Sequence, residues 1–444
     1  MSNQYRTAPV RSAALPTGIP YIVGNEAAER FSYYGMRAIL VVFMTQHLLD
    51  SEGAHATMSD AEARSFYHLF SFAVYFFPLV GALVSDLLWG KYRTILILSI
   101  VYCLGHLALA LDDTRLGLSV GLGLIAIGSG GIKPCVSAHV GDQFGATNGR
   151  LVGRVFGWFY LAINFGAFVS SISTPLLLER FGANVAFGLP GALMFIATWV
   201  FWLGRREFVH IPAAGFDSVR VALGGEGGRA ILRLLPIYVF FAAFWALYDQ
   251  TGSSWVLQAQ RMDRQLFGIE WLPSQIQAIN PILILILVPL FSAVIYPAVE
   301  RRVELTPLRK IGVGLFLMVG AFLVPAWIEY RIGAGEVPSI AWQLVAYLVL
   351  TASEVLVSVT GLEFSYTQAP AELKSIVMSL FLLAISAGNL LTSGVNFVLA
   401  RMGPEMLAGA GYYLFFAAIM ALASMFFVVA ASRYQGSVQL QKEA

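Results

Sequence analysis

Long apolar stretches, rather than short alternating ones, organise this chain. A helix that crosses a bilayer needs about 20 mostly apolar residues. Scanning on that basis predicts twelve spans, at 20–44, 65–88, 94–111, 116–140, 154–177, 185–204, 230–256, 274–299, 308–329, 340–366, 374–400 and 406–432. The predicted fold class is an all-α membrane protein with twelve transmembrane helices.

Composition supports a membrane chain: 58% of the 444 residues are hydrophobic and only 12% are charged, about half the roughly 25% usual in soluble domains. Aromatics at 13% and 42 glycines suit a bundle in which small residues let helices approach and Trp and Tyr sit at the interfaces. A soluble enzyme, a nucleic-acid binder and a disordered hub are excluded, and a net charge of +2 calls for no polyanionic partner. Cys103 and Cys135 lie in apolar stretches without a second ligand at metal spacing, so no metal or cofactor is expected. The opening MSNQYRTAPVRSAALPTGIP lacks an apolar core before a cleavage site, so no removable signal is read in it.

The basic residues alternate in side. Arg6, Arg11, Lys91, Arg93, Arg150, Arg154, Arg205, Arg206, Arg220, Arg229, Arg301, Arg302, Arg309, Lys310, Lys374, Arg433 and Lys442 fall together, leaving only Arg64, Arg115, Arg180, Arg261, Arg264, Arg331 and Arg401 opposite. The richer side is the cytoplasmic one by the positive-inside rule, which puts both termini inside and the chain in a cell (inner) membrane. The longest loop, 205–229, is basic and carries GGEGGR. It reads as a cytoplasmic linker between an N-terminal six-helix bundle, 1–204, and a C-terminal one, 230–444. Such a six-plus-six plan describes the major facilitator architecture, whose substrate site is expected near mid-membrane between the halves.

Against that background, ionisable residues inside spans stand out, since each costs at least roughly 2.5–3.5 kcal/mol at a helix centre. In span 1, EAAERFSYYGMR sets Glu26, Arg30, Tyr33 or Tyr34, and Arg37 at steps of three or four, one polar stripe with Glu29 beside it. Lys133 lies deep in span 4, in GSGGIKPC, and the only nearby carboxylates in its half belong to that stripe. Across the chain, Glu354 lies mid-span 10 with Ser358 a turn further on, and Asp249 follows Trp245 in span 7. Asp86 and Glu363 lie within or at the ends of spans too, while Arg233 can snorkel from the start of span 7. The plain alternative is an ion pair that pins two helices. A positive wall (Arg37, Lys133) facing a negative group (Glu354) fits a zwitterion, and a free amino acid would satisfy those charges as well as a peptide would.

The motif EAAERFSYYG resembles the ExxERFxYYG motif of the proton-dependent oligopeptide transporters, a branch of the major facilitator superfamily. GALVSDLLWGKYRTI, GGIKP, FYLAINFGAF, FWALYDQTGSSW, INP and GLEFSYTQAP match further segments of that family in order, so the resemblance runs from about residue 20 to 400. It implies a symporter, not an enzyme, taking di- and tripeptides with protons by alternating access. It further implies proton coupling at Glu26, Glu29, Arg30 and Lys133, carboxylate binding by Arg37 and Lys133, and amino-terminus binding by Glu354 and Ser358. Tyr34, Tyr75, Tyr160 and Trp245 would line the pocket, Asn164 and Asn280 would bond the peptide backbone, and Arg37 with Asp249 would gate it. His68, in FYHLF, matches a second-helix histidine of the animal members, readable as a proton relay or as a packing residue bonded to a neighbouring helix. Two departures stand out: the 6–7 loop is too short for an inserted helix pair, and Phe381 stands where many members have tryptophan. Relatives that carry nitrate often lack an intact ExxER, which this chain keeps. A hydrolase is disfavoured because there is no HExxH and no GxSxG.

Overall fold

A computed structural model describes residues 5–213, 226–368 and 374–434. Twelve long helical stretches follow one another: α1 Ile19–Val42, α2 Asp60–Val84, α3 Lys91–Leu111, α4 Arg115–Asp142, α5 Val152–Phe181, α6 Ala183–Leu203, α7 Glu226–Tyr248, α8 Ile279–Leu290, α9 Pro307–Gly333, α10 Ala341–Glu354, α11 Lys374–Met402 and α12 Ala410–Arg433. Each falls on one of the predicted spans. Eleven helical stretches among the described residues are long and apolar enough to cross a membrane. The remaining one is α1, whose Glu26, Glu29, Arg30 and Arg37 lower its hydropathy. Most of the predicted linker, 214–225, lies outside the described residues, as do Lys442 and the start of GGEGGR.

Local chemistry explains where helices begin. Thr114 caps α4 by accepting from the Leu116 and Gly117 N–H groups at 3.2 and 3.4 Å, and Thr306 caps α9 through Arg309 N at 3.3 Å with Pro307 at the first position. Both arrangements satisfy amide donors that the helix itself leaves unpaired. π-helical turns interrupt the regular winding at Phe43–His47, Ser85–Trp89, Phe291–Ile295 and Val355–Val359. The last follows Glu354 directly and carries the chain into a further helix, Thr360–Gln368.

The predicted seventh span, 230–256, is not continuous: the chain tightens over Asp249–Gly252 and turns at Ser253 before the short helix Ser254–Ala259. Gly252 is required at that break, because a Cβ there would fall 1.9 Å from the Tyr67 hydroxyl. Beyond it lies a small hairpin, Gln265–Leu266 paired with Ile269–Glu270, that the apolar scan passes over as loop. Phe267 and Gly268 at its tip both have positive φ, 55° and 77°, as a two-residue turn of that twist demands.

Residues group by contact into two compact units, Met1–Thr57 with Ala73–Arg220, and Met58–Phe72 with Val221–Ala444. In the first, α3 packs on α4 and α6, and α1 on α5 and α6. A core of Ile22, Ile95, Ile132, Val136, Val155 and Phe201 sits among them. α2 and α4 meet so closely that a Cβ on Gly81 would lie 2.3 Å from the Gly131 carbonyl oxygen. In the second unit α7 packs on α11 and α12, and α9 on α10 and α12. A comparable approach occurs there at Gly388, 2.3 Å from the Ala242 carbonyl oxygen by the same measure.

Candidate functional site

The first unit brings the span 1 stripe and Lys133 together. Arg30 Nε donates to Glu26 Oε1 at 2.6 Å, one helical turn back along α1. The same Nε stands 3.2 Å from Glu29 Oε2, an ion-pair contact without hydrogen-bond alignment. Glu29 Oε1 accepts instead from Ser129 Oγ of α4 at 2.6 Å. Glu26 and Glu29 are 2% and 1% exposed, so both carboxyl groups are removed from water and depend on these partners.

Lys133 departs from expectation. No carboxylate of the described residues lies within ion-pair distance of its ammonium, which sits over the rings of Tyr33 at 4.1 Å and Tyr75 at 4.7 Å. Glu26 and Glu29 reach it only through longer-range electrostatics. Arg30 already lies between the two carboxylates, and the lysine ammonium is held instead by aromatic faces, whose quadrupole attracts a cation. Tyr33 is fully buried while Tyr34 stays half-buried. Ser129 is a neutral site residue that the pattern of charges does not mark. Ser129 was findable, since it precedes Lys133 by four positions and so shares its helix face.

Arg37 is buried, Asn164 donates to its own helix at the Tyr160 carbonyl, 2.9 Å away, and Tyr160 is exposed. Arg233 is exposed at the start of α7, as a snorkelling residue would be.

The second unit assembles its own polar group around Glu354. Asn280 Nδ2 donates to Glu354 Oε2 at 2.8 Å and lies 3.1 Å from Thr351 Oγ1, while the Tyr248 hydroxyl donates to Asn280 Oδ1 at 3.3 Å. Asn280 is thus committed to the carboxylate and orients it. Ser358 lies in the π-helical turn after Glu354, half-buried and without a hydrogen bond to that carboxylate among the described residues. Trp245 is buried, and its indole N–H has no acceptor among the described residues. Phe381 packs on Phe241, ring centres 5.4 Å apart, inside this unit.

A second network surrounds His68, which lies in the part of α2 that groups with the second unit. Its Nδ1 is 2.8 Å from Asn389 Oδ1 and its Nε2 is 2.9 Å from Ser253 Oγ. Asn389 Nδ2 in turn donates to Asp249 Oδ2 at 2.5 Å. With that amide orientation Asn389 Oδ1 can only accept, so Nδ1 carries the proton and Nε2 of the neutral ring accepts from the Ser253 hydroxyl. Asn389 and Ser253 carry no charge, and nothing in the apolar pattern marks them.

The sequence profile of the POT family matches residues 92–223 and 218–405. The chain belongs to the POT family. It is similar to human solute carrier family 15 member 2, 37% identical over 78% of this chain and 54% of that protein. Peptide transporter family 1 of Drosophila melanogaster is 37% identical over 71% of this chain and 48% of that protein. The chain therefore spans about half the length of the curated relatives it matches. Among solved structures, the POT family transporter PepTSo has a TM-score of 0.87 at 36% identity, covering 95% of this chain and 99% of that one. An auto-inhibited POT family peptide transporter has a TM-score of 0.87 at 38% identity, covering 96% and 99%. These likenesses fix the fold of this POT member as the helical one of those transporters.

Proposed function

We propose that this POT family member is a proton-coupled symporter that imports di- and tripeptides by alternating access, in a cell (inner) membrane with both termini cytoplasmic. The six-helix halves 1–204 and 230–444, joined by the linker 205–229, are the moving bodies in this reading. The observation that carries it is Glu354, a carboxylate embedded in an apolar helix and aimed by Asn280. Its counterpart is a lysine, Lys133, that has no carboxylate within ion-pair distance among the described residues and sits over the Tyr33 ring. An acid and a base each without a neutralising partner among the described residues suit a ligand with both charges: its ammonium goes to Glu354 and its carboxylate to Lys133 and Arg37. The Trp245 N–H is then a donor for a peptide carbonyl, and Tyr34, Tyr75, Tyr160, Asn164 and Ser358 complete the lining. Arg37 and Asp249 form the outer gate pair.

Proton coupling runs through Glu29 and Arg30. Ionised, Glu29 holds Arg30 jointly with Glu26; protonated, it releases part of that hold, and Arg30 becomes available to draw Glu26 or the substrate carboxylate. Because linkage is reciprocal, a proton that favours peptide binding is itself bound more tightly when peptide is present. His68 serves as the outer relay. Charging it turns Nε2 into a donor, and the Ser253 hydroxyl must then swing toward the Gln250 carbonyl 3.5 Å away.

Proteoliposomes holding the purified chain test this reading. An imposed inward proton gradient should drive accumulation of a labelled dipeptide, inhibited by di- and tripeptides but not by free amino acids or tetrapeptides, and the peptide should be recovered with its mass unchanged. Equal inhibition by free amino acids would remove the claim about length, and gradient-independent uptake would remove the symport.

A further inference from the structure

On the face that carries the basic loops, the first unit holds a cavity of about 850 Å3 at the ends of α2, α3 and α6, lined in part by Trp89, Tyr92, Arg93, Trp202, Arg205 and His210. None of the residues named above for peptide or proton lines it. Its wall is anchored rather than loose. Arg6 bridges Val209, whose N–H donates to Gln143 at 2.9 Å; His210 N donates to the Arg6 carbonyl at 2.7 Å, and the His210 ring stacks on Tyr5 at 4.2 Å.

The charges are arranged for an anion. Arg205 sits over the Trp202 indole, its guanidinium carbon 3.8 Å from the ring centre, and spends one N–H on the Trp202 carbonyl. A guanidinium has five N–H donors, so the others remain for a ligand. Arg93 is exposed and acts electrostatically on His210. Among the described residues neither arginine has an ion-pair partner and no carboxylate lines the cavity. Below it the surface turns apolar. Ile97, which lines the cavity, continues along α3 into Ile100 and Leu104, and Trp202 continues along α6 into Trp199, all exposed. Steps of three and four keep each set on one helix face, and α3 and α6 pack together.

We propose that this cavity binds the headgroup of an anionic phospholipid, with Arg93 and Arg205 on its phosphate and its acyl chains along the exposed faces of α3 and α6. Arginine matches phosphate oxygens in paired hydrogen bonds, basic pockets between helices on this side of a membrane suit acidic headgroups, and Trp and Tyr sit at headgroup depth. A dissolved phosphate would gain nothing from Leu88, Leu96 and Ile97 in the lining. A zwitterionic headgroup would bring an ammonium to a site with no carboxylate among the described residues.

Native mass spectrometry of the full chain in detergent decides this, with phosphatidylglycerol and phosphatidylcholine of identical acyl chains titrated separately. Phosphatidylglycerol should be retained as one adduct at least tenfold more tightly than phosphatidylcholine. R93Q/R205Q should erase that preference, and R93K/R205K should keep part of it. Equal retention of the two lipids by the wild type overturns the proposal, as does an undiminished preference in R93Q/R205Q. Displacement of the lipid by millimolar inorganic phosphate overturns it too, by showing a site for a small anion. If R93Q/R205Q does not fold, the wild-type lipid comparison and the phosphate competition still give the answer.

Discussion

Replacing Glu354 by glutamine removes a charge and almost no volume, so its effect reads the carboxylate itself. Asn280 Nδ2 donates to Oε2 at 2.8 Å, and a glutamine carbonyl oxygen can accept that bond, which keeps the network and the helix in place. A carboxylate accepts about four hydrogen bonds, so Asn280 leaves capacity for an ammonium. What Glu354→Gln takes from a bound peptide is one charge-assisted hydrogen bond, about 1.5–3 kcal/mol, which is roughly a 10- to 150-fold rise in Kd. The assay is a pair of titrations on purified protein, one with a dipeptide and one with its amino-acetylated form. The dipeptide should lose that factor, and the acetylated peptide, already without an ammonium, should lose less than about threefold. Equal losses for both would refute the assignment and move Glu354 to another task, such as carrying the proton.

Four further outcomes are expected. Glu29→Gln should abolish accumulation against a gradient while sparing peptide-for-peptide counterflow, which needs no net proton movement; persistent accumulation would place coupling elsewhere. Lys133→Ala should impair both modes, because it removes a substrate contact, and retained counterflow would count against that contact. His68→Gln should shift the pH profile of uptake if the ring relays protons, whereas an unchanged profile with lower expression would mark it as a packing residue. Gly81→Val should cost about 1–3 kcal/mol or prevent folding, read as a lowered Tm in detergent, because its Cβ would meet the Gly131 carbonyl oxygen at 2.3 Å.

The helices were legible because hydropathy over 20 residues is a one-dimensional signal, and the buried charges because a bilayer makes each of them conspicuous. Glu26, Arg30 and Glu354 announce themselves in this way. Their partners do not. Ser129, Asn389 and Ser253 are small neutral residues ordinary in any helix, and only the three-dimensional packing sets them against Glu29, His68 and Asp249. Lys133 was located correctly but given carboxylate company, since a sequence shows which charges exist and not which side chain fills the space between them first. The break at Asp249–Ser253 is hidden for the opposite reason: the apolar run continues through it, and the approach of Tyr67 that reserves position 252 for glycine is a tertiary contact.

The π-helical turn Val355–Val359 has a mechanical side. Such a turn amounts to one residue inserted into an α-helix; at 3.6 residues per turn that residue would rotate everything beyond it by about 100°, and the wider turn takes up most of that rotation. The two ends of this long rod therefore keep their bearings despite the extra residue. Glu354 stays on its bearing toward Asn280, and Thr360–Gln368 keeps its own. A chain that must satisfy one set of neighbours at mid-depth and another near the surface gains from such a phase adjuster, and deleting one residue between 355 and 359 should close the turn to regular α-helical winding and leave Glu363 and Phe364 near their present bearings.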